Sequence, residues 1–453
     1  MTTLVSFVVV LGVLILVHEF GHFLVARLFG VGVERFSIGF GPVIARIRRK
    51  ETEYCVSLFP LGGYVKMMGD DDNPLEGGKT GTIDPRRAFN LKPLPVRFLI
   101  VFAGPAMNFI LAGVIFALVF MTLGRPASPA VVGRITDGGP MAQAGLHTGD
   151  RIVAVDGRPV QYWDEVLRAV QDNHGGMLQL TVEGEGGARK VGISPARTKS
   201  RDLFGDEQES WDVGARPYVP ASIGEVMAGL PAQQAGLKSG DVLMAVDGKP
   251  VLSWDELAES IHRRPNQPTR VDIKRGAETF PVTVTPSAVM ERGPDGKDAE
   301  VGRIGISPAP AVVFVRSNPW RAVRDGFERT VEVTGLTAVG LYKIVVGQLD
   351  RKNIGGPIQI AVTAGEQARQ GLPSLAFFTA VISVNLFLLN LLPVPMLDGG
   401  HLLFFVCEAA LGRPLSLRKR EVAQQVGFVL LMLLMVYAVY NDLERIGLFR
   451  FFR

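Results

Sequence analysis

The chain has 453 residues, of which 47% are hydrophobic, and its mean hydropathy is +0.24. That hydropathy is high for a soluble protein and low for a chain lying wholly in a membrane, so we expect spanning helices and a sizeable aqueous part, in about three domains. The net charge of +4 is too small to indicate a nucleic-acid partner, and two cysteines, Cys55 and Cys407, are too few for a disulfide framework.

The first predicted element, residues 1–30, is a membrane span that contains His18-Glu19-Phe20-Gly21-His22. Histidines four positions apart lie on one helix face and can reach one zinc ion, and the adjacent glutamate can accept a proton from a water that the zinc acidifies. Ionisable groups at membrane depth cost roughly 2.5–3.5 kcal/mol each, so they rarely persist there without a function. The alternative is a chance match in a soluble helix. A soluble metzincin is disfavoured, because its motif would need glycine and histidine where the chain has Val25 and Leu28.

Residues 31–97 are predicted to form a cytoplasmic, membrane-associated β region. Residues 37–47 and 54–66 have the alternation and glycine spacing of short strands, so we expect a β-hairpin beside the membrane. The acidic, glycine-rich residues 70–81 are predicted to be a loop.

A second span is predicted over residues 98–124. Gly104 and Asn108 are four positions apart on one helix face, and we expect both to contact the substrate. The alternative for Gly104 is a close helix–helix contact together with Gly113. Asn108 needs a hydrogen-bond partner wherever it is buried.

An internal repeat occupies the aqueous part. The pattern A-G-L-x-x-G-D, followed by A-V-D-G-x-P-V-x-x-W-D-E, begins at Ala144 and recurs 91 residues later at Ala235. A period of that length indicates two duplicated domains rather than a solenoid, and we place them at residues 125–218 and 219–310.

Both domains resemble the PDZ domains of bacterial proteases, through the A-G-L-x-x-G-D turn and the V-D-G hairpin that follows it. In PDZ domains an extended peptide adds to a sheet edge, and a loop of backbone N–H groups receives a carboxylate. The resemblance implies that this substrate-binding loop lies around Gly133 in the first copy and around Gly224 in the second. The alternative is that at least one copy is only a spacer.

The remainder of the chain is predicted to contain two more spans. We expect an interfacial amphipathic helix and linker over residues 311–373, a third span over 374–400, a cytoplasmic loop over 401–425, and a fourth span and tail over 426–453. Basic residues near the membrane concentrate after spans one and three, which predicts that those loops are cytoplasmic. Both termini and the repeated domains are then periplasmic if the cell is Gram-negative.

A third metal ligand is expected near the end of the third span, because a catalytic zinc usually has three protein ligands. His401 and Asp398 are both candidates, and Asp398 is favoured because its helix runs towards the same side as the first span. Asn390 and two prolines precede it. Broken helix at membrane depth is tolerated only around protein or a water-filled cavity, so these residues indicate a site.

These motifs together resemble the site-2 protease class of intramembrane zinc metalloproteases, and most closely the regulator-of-sigma-E proteases. The resemblance implies a multi-pass α-helical protein of the bacterial inner membrane with four spans, a membrane-proximal β-hairpin and two periplasmic α+β PDZ domains. It implies Zn²⁺ held by His18, His22 and Asp398, Glu19 as general base, and Asn390 as a contact to substrate or oxyanion. Its substrates would be single-span membrane proteins, such as an anti-sigma factor trimmed by a prior protease, and signal-peptide remnants, with the active site near the cytoplasmic side.

Two other functions compete with a protease. One is a non-enzymatic membrane scaffold in which the PDZ pair does the binding and the zinc motif is a relic. The other is a zinc-dependent transporter, although four spans with a single metal site make a poor pathway.

Overall fold

The computed structural model describes nine stretches of the chain, residues 2–69, 84–184, 186–201, 206–292, 298–309, 311–316, 318–349, 355–413 and 415–445. The chain divides into two compact units, residues 1–124 with 316–453, and residues 125–315. The predicted loop at residues 70–81 lies outside the described residues.

The first unit is mainly helical, and its α-helices are labelled here in chain order. They are α1 (Thr2–Leu28), α2 (Leu94–Thr122), α3 (Pro319–Val345), α4 (Pro357–Gln370), α5 (Leu372–Leu391), α6 (Asp398–Leu411) and α7 (Leu417–Arg445). Within the described part of the chain, α1, α2, α5 and α7 are the helices long and apolar enough to cross a membrane.

The predicted loop at residues 401–425 is wrong as to its structure. Most of it is helical, since α6 runs to Leu411 and α7 begins at Leu417. No glycine or proline interrupts residues 401–411, and the helix ends where Gly412 takes a left-handed conformation with φ 65°.

The segment predicted as an amphipathic helix and linker contains two helices, α3 and α4. The α3 helix begins with Asn318, whose side chain accepts the N–H of Arg321, and Pro319 occupies the first turn. The α3 helix packs closely on α2, because a methyl group at Gly326 would lie 2.6 Å from the backbone nitrogen of Ala117. Small residues therefore allow close approach between these helices.

The strands β1 (Val33–Arg49) and β2 (Thr52–Met67) form an irregular antiparallel sheet. Ile38 in β1 lies opposite both Val56 and Gly63, so the first part of β1 lies between two segments of β2. The later segment of β2, up to Met67, packs on α1 and α2 in a cluster that includes Ala26 and Ile100. The end of β2 therefore lies alongside the helix that carries the histidines.

The second unit holds two copies of one arrangement. The first copy has a four-stranded sheet in the order Arg158–Pro159, Arg151–Val155, Leu178–Gly184, Gly187–Ile193, a helix at Trp163–Asp172 and a short helix at Pro140–Gln143. The second has the order Lys249–Pro250, Val242–Val246, Thr269–Arg275, Glu278–Val284, with helices at Trp254–His262 and Pro231–Gln234. Each copy has its own buried apolar core.

The described residues of the second unit form five further strand pairs. They are Val132–Ile135 with Ala215–Pro217, Ile223–Val226 with Ile306–Pro308, Ala196–Arg201 with Glu207–Asp212, Ser287–Arg292 with Asp298–Arg303, and Arg125–Ala127 with Val313–Val315. In the last of these pairs, the first and last strands of the unit lie side by side.

The N-terminus of α4 is capped by a carboxylate from the end of α7. The buried Asp442 accepts hydrogen bonds from the backbone N–H groups of Gly356, Ile358 and Gln359, at 2.9 to 3.0 Å. These are donors that a helix cannot satisfy within itself. The other face of α4 packs on α1, where a methyl group at Gly365 would lie 2.5 Å from Oγ1 of Thr3.

Candidate metal centre and active site

Two histidines of α1 and one carboxylate of α6 converge. Nε2 of His18 lies 3.0 Å from Oδ2 of Asp398, Nε2 of His22 lies 3.5 Å from Oδ1, and the two Nε2 atoms are 3.2 Å apart. Within the described residues, these three are the group of histidine, cysteine and carboxylate side chains whose ligand atoms all lie within 4.8 Å. His401, the alternative third ligand, is not part of this group.

Asp398 is positioned by tight backbone turns and two glycines. Between α5 and α6 the N–H of Val394 donates to the carbonyl of Leu392, and the N–H of Met396 donates to the carbonyl of Val394, each at 2.7 Å. A methyl group at Gly399 or Gly400 would lie within 2.5 Å of backbone atoms of this segment. The D-G-G sequence is therefore a packing requirement, which brings the first residue of α6 towards α1.

One face of α2 supports the histidine pair. Nδ1 of His22 lies 2.9 Å from the carbonyl oxygen of Ile100, and Nδ1 of His18 lies 3.3 Å from the side-chain amide of Asn108. Between them, a methyl group at Gly104 would lie 2.2 Å from Nε2 of His22 and 2.9 Å from Nε2 of His18. The residues predicted as substrate contacts in this span, Gly104 and Asn108, thus lie against the histidines.

The three side chains fit a zinc ion by the chemistry of their donor atoms. Two imidazole nitrogens and one carboxylate oxygen are a common protein ligand set for catalytic zinc, with one coordination position left for water or substrate. The absence of a side chain at Gly104 leaves the space that the imidazoles need. His18, His22 and Asp398 could therefore hold the metal.

The centre opens into a cavity of about 660 Å³ within the first unit. Glu19 lines it, next to the ligands, and Asn390 near the end of α5 lines it as well. Residues of the sheet form another part of its wall, among them Phe40, Gly63 and Tyr64. The cavity thus brings together the predicted base, the predicted oxyanion contact and a strand.

Gly63 allows the end of β2 to approach α1 closely. A methyl group at Gly63 would lie 2.9 Å from Cγ of Glu19 and 3.0 Å from the side chain of Ile15. Gly63 pairs with Ile38 on one side of the strand. Main-chain groups of β2 therefore lie directly beside the glutamate.

A largely buried ionic cluster beside the cavity was not anticipated from the sequence. Glu408 on α6 pairs with Arg97 on α2 at 2.6 Å and with Arg420 on α7 at 3.6 Å. The side chain of Arg97 also lies over the ring of Phe405 at 5.1 Å. The sequence feature that indicates such a cluster is the single acidic residue in the apolar run 402–411, because buried carboxylates are nearly always paired.

The sequence profile of peptidase family M50 matches residues 6–434. The chain belongs to peptidase family M50. This finding confirms the resemblance drawn from the motifs, and the protein is an intramembrane zinc metalloprotease. The scaffold and transporter alternatives are thereby set aside.

Relatives match this M50 peptidase over nearly its whole length. The regulator of sigma-E protease of Salmonella typhimurium is 37% identical over 454 residues, covering 98% of both chains. That of Escherichia coli strain K12 is 36% identical with the same coverage. A putative zinc metalloprotease of Neisseria meningitidis serogroup A is 36% identical, over 98% of this chain and 100% of that one.

Among solved structures, the PDZ domain of an SdrC-like protein from Listeria monocytogenes matches at 21% identity with a TM-score of 0.16. The match covers 20% of this peptidase and 90% of that chain. A TM-score this low does not bear on the fold.

The predicted carboxylate-binding loops of this M50 peptidase are wrong as to their conformation. Gly133 and Gly224 lie in strands, Val132–Ile135 and Ile223–Val226. The first strand is covered on both sides. On one side, the N–H of Val132 donates to the backbone carbonyl of Asp150. On the other side, a methyl group at Gly133 would lie 2.6 Å from the carbonyl oxygen of Pro217.

The second copy repeats this packing, since a methyl group at Gly224 would lie 2.5 Å from the carbonyl oxygen of Pro308. Among the described residues, the earlier strand of each pair lies next to the four-stranded sheet of its copy. The strand farther from that sheet is therefore the later one, Ala215–Pro217 in the first copy and Ile306–Pro308 in the second. A peptide that added to this pair would therefore pair with the later strand.

Proposed function

We propose that this peptidase hydrolyses a peptide bond inside the membrane-spanning helix of single-span proteins. The observation that carries the proposal is the convergence of His18, His22 and Asp398 beside a cavity. The histidines lie on the candidate span α1, and Asp398 begins α6, which follows the candidate span α5. A site built this way acts on a bond that lies at membrane depth.

The chain's own residues divide the chemistry among them. A zinc ion bound by the three ligands would supply a Lewis acid that acidifies water and polarises the scissile carbonyl. The carboxylate of Glu19 takes a proton from the attacking water and later delivers it to the leaving amine. The amide of Asn390, in the same cavity, donates a hydrogen bond to the carbonyl oxygen as negative charge develops there.

A helical substrate must unwind before cleavage, because its carbonyls are otherwise hydrogen-bonded within the helix. The end of β2, which runs to Met67, lines the cavity and offers main-chain groups beside Glu19. We assign this segment the role of holding the unwound stretch as an added strand. Extended substrate would then lie with its backbone directed at the glutamate.

The substrate class follows from similarity to the relatives. Two of them carry the name regulator of sigma-E protease. By analogy, the substrate here is a membrane-bound anti-sigma factor already shortened by another protease, and signal-peptide remnants are a second class. The duplicated domains then act as a size filter on the periplasmic side of the inner membrane, and the active site lies nearer the cytoplasm.

Replacement of Glu19 by glutamine tests the catalytic assignment. Glu19→Gln keeps the shape of the side chain and removes its basicity, so we expect cleavage of a single-span test substrate to fall by about 10²–10⁴-fold. Zinc content and membrane insertion should persist. The matched control is Glu332→Gln on α3, which should cleave normally. Undiminished cleavage by Glu19→Gln would end this proposal.

The same assay tests the size filter. A test substrate is prepared with and without a bulky folded domain on its outer side. We expect the wild-type chain to cleave only the shortened form. A chain lacking residues 128–312 would leave the paired strands at 125–127 and 313–315 in place, and we expect it to cleave both forms. Equal cleavage of both forms by the wild type would contradict the filter.

A further inference from the structure

The two zinc-site histidines each have a second ring nitrogen directed away from the ligand cluster. Nδ1 of His22 lies 2.9 Å from the carbonyl oxygen of Ile100. A carbonyl can only accept, so Nδ1 of His22 carries the proton and Nε2 keeps its lone pair for the metal. The backbone of α2 thus sets the tautomer of this ligand.

The tautomer of His18 depends in the same way on the partner of its Nδ1, which is a side-chain amide. Nδ1 of His18 lies 3.3 Å from Nδ2 of Asn108, while Oδ1 of Asn108 is buried and has no hydrogen-bond partner within the described residues. If the amide nitrogen donated to Nδ1, the proton of His18 would be on Nε2, which then could not bind a metal. The orientation of an amide is an assignment, because its oxygen and nitrogen have nearly the same shape.

We propose that Asn108 is a positioning residue, whose Oδ1 accepts a hydrogen bond from Nδ1–H of His18 and thereby presents Nε2 to zinc. A half-turn of the amide about its last bond places Oδ1 where Nδ2 now lies and leaves the side chain otherwise unmoved. Metal-bound histidines generally donate their other N–H to a carbonyl, carboxylate or water. Asn108 and Ile100 then each accept a hydrogen bond from the Nδ1–H of one histidine.

The surroundings of Asn108 hold it in place for this role. Its side chain is 0% exposed. Its backbone carbonyl accepts a hydrogen bond at 2.7 Å from the hydroxyl of Ser383 on α5, which is also fully buried. The backbone at Asn108 is therefore held by a contact between two candidate spans, α2 and α5, and the buried side chain lies beside His18 of α1.

This inference rests on the proposed zinc ligands but is separable from them. The amide of Asn108 accepts a hydrogen bond, and an acceptor and a donor respond differently to replacement by aspartate. A carboxylate at position 108 can accept the bond from His18 but cannot donate one when ionised.

The experiment measures zinc affinity of the full-length chain in detergent by competition with a chelator. We expect Asn108→Leu and Asn108→Ala to bind zinc about 10–100-fold more weakly than wild type, and Asn108→Asp to bind with affinity close to wild type. The absorption spectrum of the cobalt-substituted protein provides a second readout, and we expect only the aspartate variant to keep the wild-type band pattern. Asn385→Leu, which removes another amide between α3 and α5, is the matched control with unchanged affinity.

Two results would overturn the assignment of Asn108. One is zinc affinity in the leucine and alanine variants equal to that of wild type, and the other is failure of aspartate to restore it. If leucine prevents folding, the alanine and aspartate pair decides the question. Failure of the wild-type chain to bind zinc, or full zinc binding by His22→Ala, would instead refute the ligand set itself.

Discussion

Gly104 of α2 and His22 of α1 are in contact so close that no methyl group fits between them, since a Cβ at position 104 would lie 2.2 Å from Nε2 of the histidine. We therefore expect Gly104→Ala to displace the imidazole. Overpacking of this kind costs about 1–3 kcal/mol, which corresponds to roughly ten- to hundredfold weaker zinc binding. Chelator competition measures the affinity, and cleavage should fall with it.

Gly12→Ala is the control for this prediction. Gly12 lies in α1, and nothing lies within 4 Å of the position that its Cβ would occupy. Zinc binding by this variant should equal that of wild type. Normal zinc affinity in Gly104→Ala would show that α2 can move away from the histidines.

Removal of the charge of Glu408 from the largely buried ionic cluster should lower the free energy of unfolding. The side chains of Glu408 and Arg97 are each 11% exposed, and that of Arg420 is 16% exposed. Glu408→Gln removes the charge that both guanidinium groups face. Loss of one partner of a buried pair costs about 3–5 kcal/mol, because the remaining charge stays uncompensated. Unfolding in mixed micelles measures this change.

An exposed pair serves as the comparison for Glu408. Arg324 and Glu328 are one helical turn apart on α3, with side chains 72% and 60% exposed. Surface pairs of this type contribute about 0–1 kcal/mol, so Glu328→Gln should change the free energy of unfolding little. Equal effects of the two substitutions would mean that solvent reaches Glu408.

The ion pair of Asp241 with Arg275 should make the folding stability of the second repeat copy sensitive to acid. Bidentate hydrogen bonds from Arg275, at 2.7 Å each, hold the pKa of Asp241 below its usual value, and the N–H of Lys238 adds a third bond. A lowered pKa in the folded state stabilises the fold above the unfolded value of about 3.9, and this contribution is lost as pH falls through the folded value. Thermal unfolding midpoints between pH 6 and pH 2 measure it.

Asp241→Asn should abolish that part of the pH dependence and lower the midpoint at pH 6. Asp298→Asn, at an exposed position of the same copy, should leave the profile as in wild type. A wild-type profile in Asp241→Asn would indicate that other carboxylates determine the acid transition.

The proposed ligand side chains could be predicted because each belongs to a short local pattern. His18 and His22 are one helical turn apart, and Asp398 precedes two glycines after a proline-interrupted span. The structure brings these side chains together. The partners of the histidines were not predicted, since the contacts of Ile100 and Asn108 depend on how α2 packs on α1, over sequence separations of 78 and 90 residues.

The glycines of the repeated domains were misassigned for the same physical reason. The resemblance to PDZ domains implied a loop at Gly133, but Gly133 lies in a strand that pairs with Ala215–Pro217, more than 80 residues later in the chain. Strand pairing at that distance leaves no local pattern. The helix α6 was also missed, because the basic residues that follow it suggested a loop.

The cap of α4 by Asp442 links the last helix of the first unit to the first. Asp442 holds one end of α4 through three backbone groups, and Gly365 in the middle of α4 rests on Thr3 at the start of α1. A continuous series of contacts therefore runs from α7 through α4 to α1, the helix that bears His18 and His22.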